Sequence, residues 1–233
     1  DGIASEGLPP KWFTKNPSTR FEEDLPQMHR ALEKAVSFGL NQESESVFSL
    51  WQKIYQFQES WANAEKIPPL LAHLGTSLVE RALIDAFCRG TGHSFAEALR
   101  TNEFGIALDS IHPELGRLDP IEWLPQEPEK SLIARHTIGL GDALTANDIE
   151  KEELCDDGLP QALDDAIRYY GLTHFKVKLS GNLESDLLRL KNIAQMLGQL
   201  VPEFKFTLDG NEQYPNVMAF REHWEQFLKD PIL

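Results

Sequence analysis

The chain has 233 residues, of which 37 are acidic and 22 basic, so its formal net charge is −15. Such an acidic protein repels phosphate backbones and anionic lipid surfaces, so we predict that it binds neither nucleic acid nor membrane. No stretch approaches the roughly 18 apolar residues of a transmembrane helix. The two cysteines provide no disulfide framework, which favours a reducing, cytoplasmic location.

The first 100 residues predict a cluster of helices. Residues 1–20 are rich in glycine and proline, which is typical of a strand end followed by a loop. Segment 101–130 is again rich in proline and has no clean period, which favours a linker. Between these two segments, apolar residues recur at helical spacing over residues 21–39, 43–61, 70–89 and 94–100.

From residue 131 the pattern changes to alternating strands and helices. Three successive βα units predict a parallel sheet, either open or closed into a barrel. The predicted strands are residues 131–140, 173–179 and 204–208, and the helices that follow them are residues 159–170, 183–200 and 217–228.

The second predicted strand carries two lysines on one face. Side chains alternate along a strand, so Phe175 and Val177 face one side of the sheet while Lys176 and Lys178 face the other. A charge inside an α/β protein is costly to bury, which favours a functional use for the lysines. The alternative is a solvated strand edge that carries surface lysines.

Asp209 ends the third predicted strand, where βα enzymes place their working groups. Asp209-Gly210-Asn211 could also be a simple turn. However, Asp209 lies on the strand next to Lys176 and Lys178, at matching depth and on the same face. We therefore expect the three side chains to converge.

Two lysines and an aspartate suit the removal of a proton next to a carboxylate. That reaction needs a base, and a divalent cation with oxygen ligands can stabilise the resulting enediolate. A lysine base needs its pKa lowered from about 10.4 to about 7–8, which corresponds to roughly 4 kcal/mol. A second ammonium group about 6–7 Å away supplies roughly 2.5 kcal/mol of this.

These residues resemble a known family. Lys176-Val177-Lys178 on one strand, followed by Asp209-Gly210-Asn211 at the end of the next, resembles the mandelate racemase and muconate-lactonising group of the enolase superfamily. Residues 79–92 are similar to the helix that leads from the capping domain of this group into its barrel. Residues 6–10 resemble the end of the capping-domain sheet, and residues 136–140 resemble the first barrel strand of dipeptide epimerases.

The resemblance implies an α/β fold in two parts. Residues 1–130 would form a mostly helical α+β capping domain that lacks its first strands, together with a linker. Residues 131–233 would form the first three βα units of a TIM-type (β/α) barrel. On this interpretation the chain is part of a longer protein, and the isolated piece would bind metal poorly and be inactive.

The resemblance also implies roles for individual residues. Lys178 would be the base, and Lys176 would lower the pKa of Lys178 and contact the substrate carboxylate. Asp209 would be the first of three ligands of Mg²⁺ or Mn²⁺, with the other two on later strands, while Thr137 and Asn211 would bind substrate. The implied protein is a homo-oligomeric isomerase or lyase that acts on a small-molecule carboxylate: a racemase or epimerase, a cycloisomerase or a dehydratase.

The sequence departs from the family pattern at one position, and two alternative functions stay open. The family usually has alanine at the position of Gly210, a change that we expect to be conservative. A non-catalytic homologue could keep the scaffold as a binding module. An open flavodoxin-like sheet that binds a phosphate ligand is the third possibility, but it needs a glycine-rich first turn, which residues 139–142 barely provide.

Overall fold

The computed structural model of the chain describes residues 1–127 and 129–233. They divide into two compact units, Asp1–Glu129 and Lys130–Leu233. The fold is α/β, because the described residues of the first unit form helices and the second unit contains a three-stranded parallel sheet. Among all described residues, no helix combines the length and apolar character needed to cross a bilayer.

The first unit is helical where periodicity predicted helices. Helix α3 begins at Val47 rather than at residue 43, because the Ser46 hydroxyl caps it by accepting from the Ser49 N–H at 3.1 Å. Residues 6–10, which resembled a sheet end, are described and contain no strand. The helices are α1 (Lys11–Thr14), α2 (Phe21–Gly39), α3 (Val47–Glu65), α4 (Pro69–Thr91), α5 (Phe95–Arg100) and α6 (Pro120–Trp123), with 3₁₀ turns at Leu108–Ser110 and Pro113–Leu115.

Helices α2, α3 and α4 pack around a buried glutamine. The side chain of Gln58 on α3 is fully buried, and its Nε2 donates to the carbonyls of Ala31 on α2 (2.8 Å) and Ala72 on α4 (2.9 Å). A Cβ atom added to Gly75 would lie 2.2 Å from the Ala31 carbonyl oxygen. The absence of a side chain at Gly75 therefore lets α4 approach the backbone of α2.

The second unit alternates strands and helices as predicted. The strands pair in the order β1-β2-β3, all parallel. Helix α8 has the predicted bounds, and β1 is shorter than expected. The elements are β1 (Arg135–Ile138), α7 (Leu163–Tyr170), β2 (His174–Lys178), α8 (Leu183–Leu200), β3 (Lys205–Asp209) and α9 (Val217–Phe227), with 3₁₀ turns at Ala146–Asp148 and Lys151–Glu153.

The sheet of the second unit buries one face. Phe175, Val177 and Leu179 are 0%, 1% and 2% exposed. Each side chain of this kind contributes roughly 1.5–3 kcal/mol when fully buried. Helices α7, α8 and α9 all contribute side chains to the same apolar cluster, so they pack on this face. Lys176 and Lys178 alternate with the buried residues and lie on the opposite face.

The apolar face is less complete at β3. Phe206 is in register with Phe175, yet its side chain is 44% exposed although alternation predicted it to face the core. No described strand pairs with β3 on the side away from β2, so that side of Phe206 has no neighbouring strand to cover it. The α/β class and the parallel sheet are confirmed, and closure of the sheet into a barrel stays a prediction.

Candidate functional site

The strand register brings the predicted site residues to one end of the sheet. On β1, Thr137 is opposite Lys176. On β3, Thr207 is opposite Lys176, and the next same-face pair is Lys178 with Asp209. The polar residues therefore form two successive layers, of which the second lies at the carboxyl ends of β2 and β3.

One carboxylate oxygen joins both lysines. Asp209 Oδ2 lies 2.6 Å from Lys176 Nζ and 2.7 Å from Lys178 Nζ. Lys178 Nζ also donates to Asn211 Oδ1 at 2.9 Å. The side chains of Lys176, Lys178 and Asp209 are 28%, 17% and 23% exposed, so these ion pairs are partly shielded from water. We refer to these four residues as the lysine–aspartate cluster.

The second oxygen of Asp209 is held by the turn that follows β3. Asp209 Oδ1 accepts from the Asn211 N–H at 2.9 Å. Asn211 has a φ of 44°, in the left-handed region that asparagine tolerates better than most residues. Hydrogen bonds from Lys176, Lys178 and the Asn211 N–H, in that order, lower the pKa of Asp209 well below its usual range. Asp209 is therefore ionised at neutral pH.

This geometry changes the expected electrostatics of the two lysines. Both ammonium groups contact the same oxygen atom, so they lie closer together than strand spacing alone predicted. The negative charge of Asp209 lies between them and offsets their mutual repulsion. The two lysines thus do not face each other as an uncompensated pair.

The cluster contains few ligands for a divalent cation. It offers one carboxylate and one amide oxygen, Asp209 and Asn211, whereas Mg²⁺ takes about six oxygen ligands, several of them usually water. Across the described ranges there is no group of three or more His, Cys, Asp and Glu side chains that could hold a metal ion. The described residues by themselves therefore do not make a complete metal site.

The polar face continues beyond the predicted residues. Arg135 at the start of β1 donates through Nη1 to Thr207 Oγ1 at 3.4 Å. Neither residue was predicted as part of the site, although the alternation that selected Lys176 also places both of them on its face. Thr137 lies in the same layer as Lys176, and its substrate-binding role stays a prediction.

At Gly210, where the enolase-superfamily group usually has alanine, a side chain would press on the Tyr214 ring. A Cβ atom on Gly210 would lie 2.6 Å and 2.8 Å from ring atoms of Tyr214. The Tyr214 ring is itself held edge-on against Phe220 and His223. An alanine at this position would require the ring to move, so the difference is less conservative than the sequence alone indicated.

Comparison with protein-family models, with curated proteins and with solved structures finds no match to this chain. The resemblance to the enolase superfamily therefore depends on the motif residues themselves. Two of them, Lys176 and Lys178, each contact a third, Asp209, directly in the structure.

Proposed function

We propose that this chain is part of a divalent-metal-dependent enzyme that removes the α-proton of a small carboxylate substrate. The observation that supports the proposal is the convergence of Lys176 and Lys178, from one strand, on Asp209 at the carboxyl end of the next. This is the arrangement that the resemblance to the enolase superfamily implies. The reaction would be a racemisation or epimerisation, a cycloisomerisation or a dehydration, with an amino-acid derivative as the preferred substrate.

Within this proposal each residue has a distinct role. Lys178 is the least exposed of the three charged groups and is assigned as the base that takes up the α-proton on Nζ. Lys176 is assigned to the substrate carboxylate, which a second ammonium group would attract and orient. Asp209 is held ionised by its neighbours, so it is assigned a ligand role rather than a proton-transfer role.

The proposed cation would supply Lewis-acid stabilisation of the enediolate. Asp209 would be one of its ligands, and the cluster itself offers no second carboxylate. Thr137 and Asn211 would form hydrogen bonds to the substrate. Arg135 and Thr207 would extend the polar face on which the substrate lies.

The direct test is exchange of the substrate α-proton in deuterated water. A protein that contains this sequence is incubated with Mg²⁺ and a panel of small carboxylates, mainly acylated amino acids and dipeptides. Loss of the α-proton signal is followed by proton NMR. We expect exchange with the unchanged protein and none with Lys178→Ala, while circular dichroism shows the same fold for both.

A third lysine on the same face provides the matched control. Lys205 begins β3 and lies toward the opposite end of the strand from Asp209. Lys205→Ala should retain exchange, because it removes the same charge without touching the lysine–aspartate cluster. Undiminished exchange in Lys178→Ala would show that Lys178 is not the base.

Two observations favour a second candidate function, a binding module without catalysis. Both lysines are already paired with Asp209, and the described residues do not complete a metal site. In that case no carboxylate would exchange its α-proton, with or without Mg²⁺. A carboxylate ligand would still bind, and Lys176→Ala would weaken its binding in calorimetry.

A further inference from the structure

We propose that Asp186, in the first turn of α8, is a positioning residue that holds the strand end bearing Lys178 against Asp209. The inference builds on the proposed function, because the cluster it concerns is the proposed catalytic centre. The geometry that supports it is independent of that function.

Asp186 is buried and binds the loop that directly follows β2. Its side chain is 3% exposed. Oδ1 accepts from the backbone N–H of Ser180 at 2.8 Å and from the Ser180 hydroxyl at 2.7 Å, and Oδ2 accepts from the Gly181 N–H at 3.1 Å. Three hydrogen bonds from two consecutive residues therefore converge on one buried side chain, and together they fix the position of the loop.

Only one residue separates this loop from Lys178. That residue, Leu179, is 2% exposed, and its N–H donates to the Asp209 carbonyl at 3.0 Å. The backbone on the C-terminal side of Lys178 is thus anchored both to Asp186 and to β3. A displacement of Ser180 would move Lys178 relative to the Asp209 carboxylate.

The role of Asp186 is distinct from helix capping. Asn182 is the N-cap of α8, and its side chain accepts from the Ser185 N–H at 3.0 Å. The helix end is therefore already capped. The side chain of Asp186 binds the loop after β2 instead, so we assign it the role of holding this loop in place.

The loops after β2 and β3 also pack directly on each other beside Asp186. A Cβ atom on Gly181 would lie 2.9 Å from the Gln213 carbonyl oxygen, so only glycine permits this approach. Burial, followed by the nearby Asp186 carboxylate, raises the pKa of Tyr214, which keeps the phenol neutral. Tyr214 in turn packs against Gly210, the residue next to Asp209.

Helix α8 reaches the end of β1 as well. Arg189, three residues after Asp186 and so on the same side of the helix, donates through Nη2 to the carbonyls of Gly139 (2.6 Å) and Asp142 (2.9 Å). The first two turns of α8 therefore hold the loops that follow β1 and β2. They set the relative position of the strand ends on which the cluster is built.

The test compares Asp186→Asn with Glu184→Gln. Glu184 lies in the same first turn of α8 and is exposed, so its substitution makes the same charge change without touching the loop. The rate of lysine acetylation under native conditions, measured by mass spectrometry, reports local access to each ammonium group. Lys191, which pairs with Asp230 in the same unit, serves as the internal reference.

We expect Asp186→Asn to speed labelling of Lys178 relative to Lys191, and Glu184→Gln to leave that ratio unchanged. A merely structural loss would raise both labelling rates together. An unchanged Lys178 to Lys191 ratio in Asp186→Asn would overturn the inference. Should Asp186→Asn fail to fold, Ser180→Ala removes one of the three donors and should change the same ratio in the same direction.

The proton-exchange assay separates this inference from the proposed function. If the unchanged protein exchanges the α-proton, Asp186→Asn should lower the exchange rate by about 10- to 100-fold, the effect of a misplaced catalytic group, with a smaller change in KM. If the unchanged protein shows no exchange, the proposed function fails, and the labelling ratio still decides the role of Asp186.

Discussion

The carboxylate of Asp209 accepts hydrogen bonds from three donors, although the side chain is only partly buried. Lys176 and Lys178 bind Oδ2, and the Asn211 N–H binds Oδ1. Because water still reaches all three charged groups, each pair contributes less than a buried ion pair would. What Asp209 mainly provides is a common point for two strands, since one of its carboxylate oxygens on β3 binds both lysines of β2.

At pH 7 we expect Asp209→Asn to lower the free energy of unfolding by about 1 kcal/mol, measured by urea denaturation. The pKa of Asp209 is lowered in the folded state, so the stabilisation is fully present above the unfolded value of about 3.9 and is lost as pH falls toward the lower folded value. The difference between the two proteins should therefore stay constant from pH 7 to about pH 5 and shrink below about pH 4. A difference that grows on acidification would contradict this assignment.

The helices of the first unit are held together by a close approach of backbones. Gly75 on α4 meets the carbonyl of Ala31 on α2, and Gln58 hydrogen-bonds to both helices. Protein interiors are packed too densely to admit an extra methyl group at such a contact without displacement. The spacing of α2 and α4 thus depends on one missing side chain.

Gly75→Ala should destabilise the protein by about 2–3 kcal/mol, because the new Cβ atom would force the two helices apart. Gly90 lies on the same helix, and a Cβ atom there would meet nothing within 4 Å. Gly90→Ala should therefore leave the stability unchanged or raise it by up to about 1 kcal/mol. Thermal unfolding of both variants measures the contrast, and similar effects at the two positions would show that the contact at Gly75 does not limit packing.

Element bounds that depend on nearby residues were predicted correctly more often than bounds that depend on tertiary contacts. Helix α8 begins at Leu183 and ends at Leu200 as predicted, because both its N-cap and its apolar spacing depend only on residues close in sequence. Helix α7 begins at Leu163 rather than at residue 159. The N–H groups of Leu163 and Asp164 donate to the carbonyls of Ala143 and Leu144, a contact across the loop that no local pattern contains.

The candidate site was predictable in part for the same reason. Side-chain alternation places Lys176, Lys178 and Asp209 on one face, which needs only the strand assignments. That one oxygen of Asp209 binds both lysines depends on the register between β2 and β3, and the role of Asp186 depends on how α8 packs. Neither is encoded at short range, and both appear only once the strands and helix are assembled.

At the scale of the whole molecule, the dominant property is an excess of negative charge. The formal net charge of −15 makes the folded chain repel itself, and ion pairs such as those of the lysine–aspartate cluster offset only part of this. Screening by salt weakens interactions between exposed charges much more than those between shielded ones. The balance of these two effects can be measured directly.

We expect the melting temperature to rise when sodium chloride is increased from about 0.1 M to about 1 M, which shortens the Debye length from about 10 Å to about 3 Å. The reason is that screening relieves general repulsion while the partly buried pairs are less affected. Differential scanning calorimetry at constant pH measures the change. A lower melting temperature at high salt would mean that exposed ion pairs outweigh the repulsion.

The outer border of β3 has a consequence for the whole protein. No described strand hydrogen-bonds to β3 on the side away from β2, and Phe206 is exposed beside that border. The unpaired N–H and C=O groups of an edge strand are a template for another strand, and intermolecular pairing there leads to aggregation. Any strand that adds to β3 would also bring its alternate side chains next to Asp209. The neighbour that shields the protein from aggregation would thus also complete the surroundings of Asp209.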